Sequence, residues 1–148
     1  MTDKQIVFEN SHIRRHFDVE NEVWYFSLVD IVAALTDFTN PTDYLKKMRK
    51  RDSELHSYLG TNCPQVPMIT NRKKRKTLAG NVEQIFRLIQ SIPSPKAEPF
   101  KQWLAKVGYE RLQEIQDPSL SIDRAHQNWK DKGRSEKWVQ QRMMGQFL

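Results

Sequence analysis

Apolar and polar residues alternate at the start of the chain. Ile6 and Phe8 stand between polar neighbours, Ile13 and Phe17 flank Arg15 at every second position, and Val23-Trp24-Tyr25-Phe26 is a β-branched and aromatic run. This period of two predicts β-strands up to residue 26, with the polar stretch Asp18–Glu22 as a hairpin loop. At Ser27-Leu28-Val29-Asp30 the period changes. The [ST]-x-x-[DE] spacing marks a helix start, and the helix that follows, about nine residues long, should bury Leu28, Ile31, Val32 and Leu35 and end near Thr36. After Asp37-Phe38-Thr39, the tetrapeptide Asn40-Pro41-Thr42-Asp43 supplies a capping amide, a proline where a missing N–H is harmless, and an acid for the helix dipole. The second helix carries Tyr44, Leu45 and Met48 toward the core.

Ser53–Leu59 predicts one or two further helical turns closed by Gly60. From Cys63 to Leu78 the pattern is extended. Val66, Met68 and Ile69 form one arm of a hairpin and Thr77 and Leu78 the other, with Thr70–Lys76 at or near the tip. Pro64 and Pro67 place these strands at a sheet edge, because proline cannot donate to a ladder. The second half is helical throughout. Asn81 with Gln84 opens a helix with Val82, Ile85, Phe86, Ile89 and Ile92 on one face, and Pro93-Ser94-Pro95 breaks it. A helix starting at Pro95 or near Pro99 carries Phe100, Trp103, Leu104, Val107, Leu112 and Ile115 as a packing stripe. Asp117-Pro118 starts another helix that runs through Ala125 and Trp129 to Gly133, and Ser135 starts a last one with Trp138, Val139, Arg142 and Met143. The final Phe147-Leu148 reads as the end of a piece of a longer protein.

Composition sharpens this picture. The 148 residues include 4 Trp, 7 Phe and 4 Tyr, too many bulky side chains for a disordered chain. No apolar run is long enough for a membrane span, and the N-terminus lacks the apolar block of a signal peptide, so a cytoplasmic location is expected. One cysteine, Cys63, allows no internal disulfide. The net charge of +6 is unevenly distributed. Residues 1–40 are net acidic, whereas every basic residue of 41–76 lies in one of two runs: Lys46, Lys47, Arg49, Lys50 and Arg51, then Arg72, Lys73, Lys74, Arg75 and Lys76. The first run covers most of the free surface of the second helix. The second sits on the hairpin. A helix-turn-helix-like pair followed by a basic β-hairpin wing suits one surface facing a phosphate backbone. Charged helix faces and mobile basic loops also occur with no partner at all.

No catalytic constellation is present, and the chain reads as a non-enzyme with no cofactor and no metal. There is no glycine-rich phosphate loop and no G-x-S-x-G. Cys63 and His56 could be drawn as a thiol–imidazole pair, but nothing near Cys63 activates it. Glu110 and Glu114, one turn apart beside Arg111, point to surface pairing. His12 and His16 have no third ligand in reach.

Two stretches say more than periodicity can. Val23–Thr36 with Asn40-Pro41-Thr42-Asp43-Tyr44, and Gln90-Ser91-Ile92-Pro93-Ser94-Pro95-Lys96-Ala97-Glu98-Pro99-Phe100-Lys101-Gln102-Trp103-Leu104-Ala105-Lys106-Val107, resemble the N-terminal domain of the BRO family. That family is found in prophage antirepressors, large DNA viruses and bacterial proteins of the DNA-damage-inducible protein D type. The resemblance covers roughly residues 5 to 115, and the continuation through Gly108-Tyr109-Glu110-Arg111 to the end looks like the damage-inducible branch. It implies a small α+β domain over 1–115, a helical extension over 116–148 leading to a missing C-terminal region, and a bacterial or phage-encoded, nucleoid-associated protein.

The implied function is DNA binding in transcription regulation or the DNA damage response. The ten cations named above are the candidate contacts to double-stranded DNA, an assignment that rests on charge and geometry alone. The competing expectation is protein capture, of a repressor or a recombination protein. A homodimer through the Trp129 and Trp138 helices would improve both affinity and readout on DNA. The Arg72–Lys76 run is more basic than the family's usual hairpin.

Overall fold

The computed structural model describes residues 12–146. Strands β1 (Arg15–Asp18) and β2 (Val23–Ser27) form an antiparallel hairpin in which Phe17 faces Trp24 and His16 faces Tyr25. Helix α1 (Leu28–Leu35) leaves β2 directly, with the Ser27 hydroxyl accepting from the Asp30 amide. It is followed by α2 (Pro41–Arg51) and α3 (Ser53–Asn62), then β3 (Gln65–Thr70), β4 (Lys73–Gly80) and α4 (Val82–Gln90). The strands make one antiparallel sheet in the order β1-β2-β4-β3. The sheet curls, so that β1 also meets the far strand β3. This is an α+β fold with a helical second half. The segment around Ile6 and Phe8 lies outside the described residues.

The chain divides into two compact units, one up to Trp103 and one from Leu104. In the first, the predicted face of α1 (Leu28, Ile31, Val32 and Leu35) is buried together with Leu45 and Met48 of α2, Leu55 and Leu59 of α3, and Ile85, Leu88 and Ile89 of α4. Each such side chain contributes about 1.5–3 kcal/mol when fully removed from water. A smaller cluster of Val66, Met68 and Ala79 packs against Tyr25 beneath the sheet. At the exit of β4 a side chain on Gly80 would press on Gln84 Cβ at 3.0 Å and Leu28 Cδ2 at 3.4 Å, so the strand-to-helix corner requires the missing Cβ.

Three details of this unit differ from the sequence-based expectation. Helix α3 runs through Gly60 to Asn62, because the Cys63 amide still closes a turn on the Leu59 carbonyl. On α4, Val82 is exposed and Leu88 takes its place in the core. The basic hairpin has a two-residue turn, Asn71-Arg72, with φ of 50° and 67°, and Thr70 pairs with Lys73 across it. Such a left-handed pair matches the strand twist. Lys73 to Lys76 are therefore strand residues, not a tip loop.

A short 3-10 turn, Pro95–Ala97, opens into α5 (Glu98–Gln116). Phe86, Phe100 and Trp103 meet edge to face at 5.4–6.2 Å between centroids. The second unit holds the rest of α5, then α6 (Ser119–Asp131) and α7 (Glu136–Gln146). The Asp117 carboxylate accepts from the Ser119 amide just ahead of α6, Gly133 turns the chain at φ +83°, and the Ser135 hydroxyl caps α7. Trp129 and Trp138 pack edge to face at 5.5 Å, half-buried against each other. Glu114 is buried and held by Arg124, which also reaches Glu110 at 3.4 Å, while Arg111 lies at 3.7 Å from Glu114. The two glutamates are thus tied to the next helix rather than paired at the surface.

The packing stripe predicted for α5 is only partly core. Phe100 is buried, but Val107 is 38% exposed and Leu112 and Ile115 are each 62% exposed. The only fully buried aliphatic side chain among the described residues of the second unit is Val139.

Candidate nucleic-acid interface

Helix α2 begins with the Asn40 side chain accepting from the Asp43 amide at 3.1 Å and Pro41 in the first position. Its last turn holds Arg49, Lys50 and Arg51, which complement the negative end of the helix dipole. Leu45 and Met48 face the core, and at 3.6 residues per turn this aims Lys46, Lys47 and Lys50 outward. Arg49 and Arg51 lie on opposite flanks. Arg49 Nε donates to His56 Nδ1 at 3.2 Å, tying α2 to α3. Arg51 borders an open pocket of about 370 Å³ formed with Phe38, Tyr44 and Lys47. Phe38 is 46% exposed there, edge to face with Tyr44 at 5.1 Å and beneath the Lys47 ammonium at 6.0 Å.

The second basic run is split by the strand. Register pairs Lys73 with Thr70, Lys74 with Ile69, Arg75 with Met68 and Lys76 with Pro67. Lys73 and Arg75 therefore share the face of the buried Met68 and Val66, whereas Lys74 and Lys76 share the face of the exposed Ile69 and Pro67. Arg72 stands in the turn. Nine of the ten cations are exposed and Arg49 is half-buried. Among the described residues, the salt bridges include just one that involves any of the ten, Lys47 with Asp43 at 3.1 Å.

Two residues matter here that the sequence pattern did not single out. The Arg14 guanidinium donates to both Asp30 carboxylate oxygens, at 2.8 and 3.1 Å, and to the Thr70 hydroxyl at 2.7 Å and the Ile69 carbonyl at 3.3 Å. It binds the end of the basic hairpin to the first turn of α1, and the Asp30 hydrogen bonds hold its proton more tightly than usual. Asp30, which the sequence read as a capping acid, serves Arg14 instead. The other residue is Phe38, whose place in a three-residue connection gave no periodic signal.

Cys63 is buried at the end of α3, and desolvation pushes its thiol up to about 11 against a small opposing pull from Arg49. That is the opposite of a nucleophile's requirement. Among the described residues, no group of three or more His, Cys, Asp or Glu side chains could hold a metal ion, and no helix is long and apolar enough to cross a membrane.

A curled antiparallel sheet interleaved with helices, bearing an exposed basic helix and a basic strand, defines the class: a small α+β domain with two cationic elements. The BRO family N-terminal domain matches residues 13–113, and the chain belongs to that family. The family is associated with phage antirepressors and DNA-binding proteins. No curated protein and no solved structure matches the chain significantly.

Proposed function

We propose that this chain is the DNA-binding regulatory domain of a prophage antirepressor or DNA-damage-response protein, and that it grips the duplex backbone through α2 and β4. One observation carries the reading. Ten cations are concentrated on one helix and one hairpin, and a single carboxylate pairs with them among the described residues. Like charges clustered along one element repel one another, and a polyanion relieves the repulsion while releasing its own counterions. The exposed Phe38 beside Lys47 and Arg51 gives the helix an aromatic contact next to its cations. Non-specific affinity of about 10⁻⁴–10⁻⁶ M is expected at physiological salt.

The test is fluorescence anisotropy on an unrelated duplex of about 25 base pairs between about 50 and 200 mM salt, using the whole chain and a variant with Arg72 to Lys76 changed to Ser. Six phosphate contacts give a slope of log K against log salt of about −5, and the variant should bind more weakly with a shallower slope. Absence of binding at the lower salt up to about 100 µM protein, the weak limit of the non-specific range at physiological salt, would remove the DNA reading.

A second reading has its own observation. The apolar residues left open on α5 fit a module that captures a repressor or a recombination protein without touching DNA. That reading expects no salt-dependent shift and no effect of the serine variant.

A further inference from the structure

We infer that α5 is the contact surface of a homodimer, in which two copies of this helix cross antiparallel about a two-fold axis. The exposed side of α5 in the second unit carries Leu104, Val107, Gly108, Arg111, Leu112 and Ile115 within an arc of about 140° at 100° per residue. Val107, Leu112 and Ile115 are open to solvent. The series is symmetric along the helix. A two-fold axis between residues 109 and 110 sets Leu104 level with Ile115 at the centre of the face, Gly108 level with Arg111 beside it, and Val107 level with Leu112 at the two rims. An isologous interface requires this self-complementarity of a single patch, and a partner of unrelated sequence does not.

Gly108 is the second observation. It sits in the middle of a 19-residue helix, where glycine is the poorest residue after proline. A Cβ built on it meets nothing within 4 Å, so the chain itself makes no demand for glycine here. Close approach of another backbone does, and the gap it leaves receives the aliphatic stem of the partner's Arg111, whose charged head stays in water. The third observation is the small core of the unit. Among its described residues Val139 is the one fully buried aliphatic side chain, little apolar burial to set against the entropy of ordering three helices.

One helix face per copy lies below the standard interface of about 800 Å² per partner, which points to a dissociation constant on the order of 10–100 µM. Sedimentation of the whole chain from about 1 to 300 µM brackets that range. The mass should rise from 17.6 kDa toward twice that value. Gly108→Leu improves helix propensity and its Cβ meets no atom of its own chain within 4 Å, yet it blocks the crossing. This variant should stay monomeric while melting no lower than the parent. Leu112→Glu, at an exposed position, should do the same with an unchanged circular dichroism spectrum. Leu104→Cys chains mixed with Ile115→Cys chains, whose positions meet at the centre of the crossing face, should form a cross-linked dimer on mild oxidation, and neither alone should. A monomer throughout the concentration range, a Gly108→Leu variant that still dimerises, or cross-linking within one cysteine variant alone would each overturn the inference.

Discussion

Arg14 shows how a single side chain can fix the presentation of a charged element. Its five N–H groups are divided among Asp30, the Ser27 hydroxyl and the last residues of β3, so the hairpin is tied to the start of α1. Arg14→Ala removes the guanidinium from Asp30, to which only the residue 14 backbone amide then donates at 2.9 Å, and should cost about 1–3 kcal/mol. Amide hydrogen exchange should accelerate in β3 and β4 more than in α1, and equal protection throughout would show that the hairpin holds itself. Cys63 carries a pH prediction. Its pKa rises from 9.0 unfolded to about 11 folded, so the folded state retains the thiol proton that the unfolded chain gives up. The sign follows directly. Stability from this group is complete below pH 9.0 and is lost as pH climbs through about 11, by up to about 3 kcal/mol. Denaturant titrations at pH 8 and pH 10.5 should show a smaller alkaline loss in Cys63→Ala than in the parent chain.

At the level of elements, helix starts were the most legible feature. Ser27, Asn40 and Asn81 each cap as their spacing predicts, since capping is a local bond between neighbours in sequence. The basic strand was not legible. Lysine has low β-propensity, and the usual Asn-Gly turn signal is replaced by Asn71-Arg72, so the run resembled a loop. It is a strand because β3 offers a ladder with Val66 and Met68 anchored in the core. The alternation that results yields a prediction the charge count alone does not. Lys74→Ser with Lys76→Ser should weaken duplex binding more than Lys73→Ser with Arg75→Ser, because the first pair projects away from the Tyr25 cluster. Anisotropy at fixed low salt compares the two, and equal losses would mean that both faces meet DNA. Exposure along α5 was hidden for a different reason: periodicity reveals which side of a helix is apolar, not whether anything covers it.

For the whole molecule, the α+β class, the helical second half and the two cationic elements were readable from pattern and charge. How the cations are divided was not, because it depends on which residues of α2 and β4 the rest of the fold turns inward. The two-residue turn at Asn71-Arg72 has a consequence here. A strand presents its side chains by odd and even position, so one residue added to or removed from that turn would shift the register and exchange the pair Lys74 and Lys76 for Lys73 and Arg75 on the outer face. Removing an uncharged residue would leave the net charge of +6 untouched. The direction of this molecule's field on the hairpin side is therefore set by parity, and two chains with identical titration curves could offer DNA opposite hands.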